Sequence, residues 1–276
     1  TTPLLPKFQA SAKRTMARVM AACLVLLLIA QSLITVRVSA IISALDLCYQ
    51  VSYGAGASKR THVIRPVTAF PAQHATVQNN YCSSQRQVGD PIPSYGDFRV
   101  NGECQSVPGG ELFYAYQYPV DYSSNTGFEQ SGADLIYFAV DDADTVSVVI
   151  VHDEANDGSG GQINIILNMP DLVGSEVQLL LRDDPGNLRS EDECRASTAS
   201  SDCYTWDSQN LNGYFSQIWG SCCTDGFVLS DFPLSDWRFN FQYDVVANIN
   251  QFKVGSFKAD TNTMEFQELD AQTIPT

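Results

Sequence analysis

The chain has 276 residues, of which 31 are acidic and 16 basic, for a formal net charge of −15. Such a balance excludes a nucleic-acid-binding role, which depends on a basic surface. With 44% hydrophobic and 11% aromatic residues, there is enough apolar material for a packed core.

The first 44 residues differ from the rest. They hold five basic residues, Lys7, Lys13, Arg14, Arg18 and Arg37, and no acidic one. From residue 45 onward, eleven basic residues face all 31 acidic ones, a formal charge of −20. Residues 1–15 read as upstream leader or as an artefact of a fragment, and residues 16–44 as a signal peptide starting at Met16. The basic start leads into the apolar run AACLVLLLIAQSLITV and the small-residue cleavage site Val38-Ser39-Ala40, with a competing site at Ile42-Ser43-Ala44. A retained anchor is the alternative, weakened by Gln31, Ser32 and Arg37 within the apolar run. The expected product is secreted and extracellular, with no membrane span after signal cleavage and no apolar C-terminal tail for a lipid anchor.

Residues 45–111 read as a loop-rich, Cys-containing extension. LDLCYQVS is a first strand, and a polar stretch with Pro66, Pro71, Pro91, Pro93, Pro108 and Gly109-Gly110 follows. GAGASK at 54–59 lacks the Gly-Lys-Ser/Thr ending of a phosphate loop and reads as a turn. Residues 112–276 read as the main β domain. LFYAYQY at 112–118 and LIYFAV at 135–140 are expected as aromatic strands. The most apolar block, residues 145–185, contains three strand-like runs on Val146, Val148 and Ile150; on Ile163, Ile165 and Leu167; and on Val177, Leu179 and Leu181. The turn DEANDGSGG joins the first two, and Asp183-Asp184-Pro185-Gly186 follows the third. A polar excursion from 187 to 210 precedes the strand GYFSQIWG. In Trp237–Asp244 the aromatic residues Trp237, Phe239, Phe241 and Tyr243 alternate with polar ones, so that one face is core and the other water. A hairpin over 251–258 and 264–269, turning at Asp260–Thr263, closes the chain. About ten short strands, with no amphipathic helix after the signal helix, predict an all-β fold. It is a two-sheet antiparallel β-sandwich or jelly roll, stapled by disulfides.

Beyond Cys23 in the leader, seven cysteines remain: Cys48, Cys82, Cys104, Cys194, Cys203, Cys222 and Cys223. An odd number leaves one unpaired in an oxidising compartment. Cys194 and Cys203 bracket a short Ser-rich loop and are expected to bridge. Neighbours on a strand face opposite sides, so Cys222 and Cys223 are expected to take different partners, with a bridge between them as the lesser alternative.

The acidic turns suggest a candidate metal site for Ca²⁺, which takes oxygen ligands: Asp153, Asn156, Asp157, Asp183, Asp184 and Asp225. Two strands separate the DEANDGSGG loop from Asp183-Asp184, which returns the chain to the same end of the sandwich. The spacing departs from an EF-hand, because Ala155 falls at a ligand position and Asn164 where the terminal Glu belongs. Solvated turn acids are the competing reading. Among the three histidines, His152 beside Asp153 has the makings of a general base at a strand end, or of a structural residue. No nucleophile elbow or His-Glu-x-x-His motif accompanies it. Tyr204, Trp206 and Tyr214 would stack on a sugar if exposed, and otherwise belong to the core.

The succession Asn156-Asp157-Gly158-x-Gly160-Gly161, Asp183-Asp184-Pro185, and Trp219 with Cys222-Cys223-Thr224-Asp225-Gly226 resembles uncharacterised extracellular β-sandwich modules of microbial secreted and surface proteins, over residues 134–270. The resemblance implies an adhesion, scaffold or ligand-binding role and assigns no catalytic residue. The expectation is therefore a non-catalytic binding or structural module whose partner is an extracellular protein or glycan, calcium-stabilised at its loop ends. A carbohydrate-binding module or a secreted hydrolase of polysaccharide are the alternatives.

Overall fold

In the computed structural model the described residues are 35–42, 47–53, 59–74, 82, 86–100, 103–116, 123–183, 188–189, 194, 202–234 and 237–269. The expected leader up to residue 34, most of the GAGASK turn and Asp184 lie outside them. Residues Ile34–Gln272 form a single packing unit.

Two large sheets carry the fold. Sheet A has seven strands: β1 (Thr35–Ile42), β2 (Leu47–Tyr53), β3 (Arg60–Ile64), β8 (Gly161–Asn168), β10 (Cys203–Tyr204), β11 (Asn212–Trp219) and β13 (Arg238–Ala247). Their spatial order is β10-β11-β8-β13-β1-β2-β3. Sheet B has six: β6 (Ala133–Val140), β7 (Val146–His152), β9 (Gln178–Arg182), β12 (Asp225–Phe232), β14 (Gln251–Lys258) and β15 (Thr263–Leu269). They are ordered β15-β14-β6-β7-β12-β9. Every pairing is antiparallel except β14 on β6. A separate hairpin joins β4 (Tyr95–Val100) to β5 (Glu103–Pro108). The chain is a disulfide-containing all-β sandwich.

The sheets meet through rings. Phe215 on β11 stacks on Phe227 of β12 at 4.4 Å, and Tyr49 on β2 stacks on Phe138 of β6 at 4.2 Å. Tyr243 on β13 meets Phe252 of β14 edge-on at 4.6 Å. β13 fulfils its alternation: Phe239, Phe241 and Tyr243 are buried with the preceding Trp237, while Arg238 and Asp244 are exposed. The closing hairpin β14–β15 forms as expected.

Sheet B is covered on its other face too. Leu135, Tyr137 and Ala139 of β6 and Val149 and Val151 of β7 belong to a second core with Val67, Phe70, Phe98, Leu112, Phe113 and Phe128. This explains why every residue of β6 and β7 is buried. The covering layer comes from the region expected to be an extension: β2 and β3 are members of sheet A, and the segment after them and the β4–β5 hairpin pack on sheet B. The boundary placed at residue 111 does not divide the packing.

The aromatic run expected as a strand begins as a helix instead, α1 (Gly109–Tyr114). A Cβ on Gly110 would stand 2.5 Å from Ser147 Oγ, and one on Gly109 2.4 Å from the Pro93 carbonyl. The glycine pair thus lets one helical turn press against the sheet, with Leu112, Phe113 and Tyr114 all buried. Ala115, left-handed at φ 53°, ends it. The leader boundary also meets structure, because Thr35–Ile42, containing the cleavage site Val38-Ser39-Ala40, is the strand between β13 and β2.

Cys194–Cys203 bridge as expected, Cys82 pairs with Cys104, and Cys48 is free. Cys222 and Cys223 bridge each other, contrary to expectation. They lie in the turn between β11 and β12, not on a strand, so the opposite-face argument does not apply to them. Disulfides belong to oxidising compartments. Among the described residues no helix is long and apolar enough to cross a membrane.

Candidate functional site

Strand register builds the polar centre. Asp134 is the second residue of β6 and His152 closes β7, and the two are cross-strand partners; His152 is likewise opposite Asp225, the first residue of β12. Directly opposed residues on neighbouring strands share a face, and here that face looks towards sheet A. Sheet A contributes Gln217 from β11 and Tyr243 from β13.

The resulting chain of hydrogen bonds crosses the interior. The Tyr243 hydroxyl donates to Asp134 Oδ2 at 2.5 Å, and Asp134 Oδ1 lies 2.7 Å from His152 Nδ1. His152 Nε2 lies 2.9 Å from Gln217 Oε1. Gln217 Nε2 donates to the Gly226 carbonyl at 3.0 Å and to the Tyr204 hydroxyl at 3.2 Å. Tyr204 reaches the Asp183 carbonyl and Asp202 Oδ2, and the Tyr114 hydroxyl donates to Asp183 Oδ2 at 2.7 Å. Asp134, His152, Gln217 and Asp183 are all 0% exposed.

The proton count follows from the acceptors. The Gly226 carbonyl can only accept, which fixes the Gln217 amide with Oε1 towards His152, so Nε2 carries a hydrogen. One further proton must lie between Nδ1 and Asp134 Oδ1. Burial, with Asp134 beside it, pushes the Tyr243 phenol well above its usual range and keeps it a donor. Tyr114 and Tyr204 are raised in the same way, by burial first and then by nearby carboxylates.

The sequence singled out His152 but paired it with the wrong carboxylate. Asp153 turns away: its Oδ1 accepts from Gly132 N at 2.7 Å and its Oδ2 from Trp219 Nε1 at 2.7 Å, while the Trp219 ring stacks on His152 at 5.6 Å. Asp134, Gln217 and Tyr243 were not foreseen as site residues. The one available signal was an Asp at the head of an apolar strand that ends, after a turn and a return strand, at His152.

The candidate calcium ligands are brought to one end of sheet B in part. Asp153, Asp183 and Asp225 lie at the shared end of β7, β9 and β12, where Asp225 is opposite His152 and Asp183 N donates to the Gly226 carbonyl, and all three are buried. Asp157 accepts from the Ser131 hydroxyl at 2.5 Å and from Ser159 N at 2.7 Å, bonds that lower its pKa. Asn156 is exposed at φ 64°, a turn position. Among the described residues no group of three or more His, Cys, Asp or Glu could hold a metal ion. Neither oxygen of Asp153 or of Asp157 is without a hydrogen-bond donor. Nor do the candidate sugar-stacking rings form a strip, since Tyr204 and Tyr214 are buried and only Trp206 is partly exposed.

The other histidines are also packed. His62 contacts the Tyr53 hydroxyl at 3.2 Å. His74 is buried between Phe113, at 4.9 Å and 5°, and Phe70, with its Nδ1 2.9 Å from the Thr126 carbonyl. Burial lowers its pKa from 6.5 to about 4, against the opposing Thr126 bond. Between those values the unfolded chain holds a proton that the folded chain does not. Stability is thus fully present above pH 6.5 and falls as pH drops towards 4, by about 3 kcal/mol for this group. Denaturant titrations at pH 7.5 and pH 4.5 should show a loss larger in the wild type than in His74→Gln by about 2 to 3 kcal/mol. Equal losses would refute the assignment.

Compared with known protein families, curated proteins and solved structures, this chain has no match.

Proposed function

We propose that this chain is a secreted, extracellular β-sandwich module that acts by binding or as a structural element, without a catalytic centre in its polar interior. The observation that carries this reading is the state of His152. The residue best suited to general base chemistry is 0% exposed, with both ring nitrogens taken up by Asp134 and Gln217. A general base must come within hydrogen-bond reach of a substrate proton, and His152 instead joins one sheet to the other. The surface supplies the binding chemistry: Asp97, Glu103, Asp142, Glu154, Asp244 and Glu265 are all exposed. An acidic surface favours a basic patch on an extracellular protein and predicts attraction that weakens with salt.

The test is an immobilised array of extracellular matrix proteins and glycans probed with the disulfide-intact chain, alongside assays for reducing ends released from polysaccharides. Salt-sensitive, saturable binding without release is expected. Turnover abolished by His152→Asn in a variant that still folds would overturn the reading in favour of a hydrolase, and salt-insensitive glycan binding in favour of a sugar-binding module. In a thermal melt, Ca²⁺ is compared with chelator, and a shift in Tm below about 1 °C would count against a calcium site. A rise of several degrees, lost in Asp157→Ala, would restore calcium to the loop end.

A further inference from the structure

We propose that the Cys222–Cys223 bridge is a thiol–disulfide exchange site, opened by a dithiol while the other two bridges stay closed. Three observations single it out. It lies in the turn between β11 and β12 with Cys222 exposed, so a reductant can reach Sγ, whereas Cys194 and Cys203 are each only 3% exposed. Its half-cystines are adjacent, against separations of 9 and 22 for the other two, so it closes the smallest loop and restrains the unfolded chain least. Its Cα atoms are 3.7 Å apart, one peptide unit, below the roughly 4.4–6.8 Å that bridges usually span, and a bridge outside that range is easier to reduce. Cys82–Cys104 is also accessible at Cys104, but it closes a long loop and ties Cys82 to the β4–β5 hairpin.

The chemistry selects a dithiol over a monothiol. A thiolate attacks Cys222 Sγ, forms a mixed disulfide and releases the Cys223 thiolate, which takes up a proton. With a monothiol, the Cys223 thiolate one residue away re-attacks and expels the reductant. With a dithiol, the second thiol of the reductant displaces Cys222 and leaves as a cyclic disulfide. Two electrons and two protons have then passed to the pair, and the reverse reaction closes it.

Opening would be felt in the neighbouring loop. Thr224 follows the bridge directly, is fully buried and holds the segment that enters β6: its N–H donates to Ser123 Oγ at 3.1 Å, and its Oγ1 accepts from Ser124 N at 2.9 Å. On the other side of the turn Trp219 holds Asp153. The bridge thus sits between two anchors of the buried centre.

The full chain is titrated with dithiothreitol and, separately, with glutathione, trapped with iodoacetamide and mapped by peptide mass spectrometry, with Cys48 as the labelled control. Cys222 and Cys223 are expected to be alkylated at a dithiothreitol concentration at least about tenfold below that needed for the other four, a gap of about 30 mV. At equal thiol concentration glutathione leaves them closed. Amide exchange at Ser124 and Thr224 accelerates on opening. Alkylation of Cys82, Cys104, Cys194 or Cys203 at the same or lower concentration overturns the exchange site. Equal opening by glutathione overturns the dithiol preference, and unchanged exchange overturns the coupling.

Discussion

A chain that begins at residue 45 is expected to lose cooperative unfolding altogether, while one that begins at residue 34 keeps it. β1 pairs five residues with β13 and six with β2, and it stands between them in sheet A. Without it the β2–β3 pair has no neighbour in the sheet, although Tyr49 on β2 is a fully buried member of the core that stacks on Phe138. Each buried backbone group left without a partner costs about 1–3 kcal/mol. A handful of them exceeds the roughly 5–15 kcal/mol by which a domain is stable. Circular dichroism melts of the two chains are the check, and superimposable transitions would show β1 to be dispensable. Cleavage at Val38-Ser39-Ala40 or Ile42-Ser43-Ala44 would remove most or all of the strand, so N-terminal sequencing of the folded protein from an expressing cell is expected to find Thr35 and Val36 retained. A folded product starting at Ile41 or Leu45 would refute this.

Different parts of the fold were legible to different degrees, for physical reasons. β13 announces itself because one face is core and the other water, so its register is written in the alternation from Trp237 to Asp244. β6 and β7 can be recognised as strands, but both their faces are buried, and a continuous apolar run does not say which neighbour lies on which side. The third layer was missed for that reason. α1 was hidden by its composition: aromatic residues favour strands, and the close approach that Gly109 and Gly110 allow is made by segments distant in sequence. In the site, acidic turns were conspicuous because they are local in sequence, and Asp153 and Asp157 accept hydrogen bonds from neighbouring segments. The polar centre draws Asp134, His152, Gln217 and Tyr243 from four strands and both sheets. Proximity along the chain pointed to Asp153, while the β6–β7 register chose Asp134.

That centre yields the other large effect. Asp134→Ala leaves the His152 proton and the Tyr243 hydroxyl buried without their acceptor, and breaking a buried pair in this way costs about 3–5 kcal/mol. For a domain of this size the loss should appear as a fall in Tm of about 6–20 °C. Tyr243→Phe removes one bond to the carboxylate and should cost about 1.5–3 kcal/mol. The decisive variant is the double replacement Asp134→Leu with His152→Leu. It removes both members together, so the desolvation that each single replacement leaves uncompensated disappears, and the double variant should be more stable than the sum of the single losses by about 0.5–3 kcal/mol. The Tyr243 hydroxyl would still lose its acceptor, and Gln217 its partner at Oε1 while keeping Gly226 and Tyr204 through Nε2, so part of the cost would persist. Denaturant titration of the wild type, Asp134→Leu, His152→Leu and the double variant closes the cycle. Strict additivity would mean that Asp134 and His152 act independently, and the coupling read from their 2.7 Å contact would fall with it.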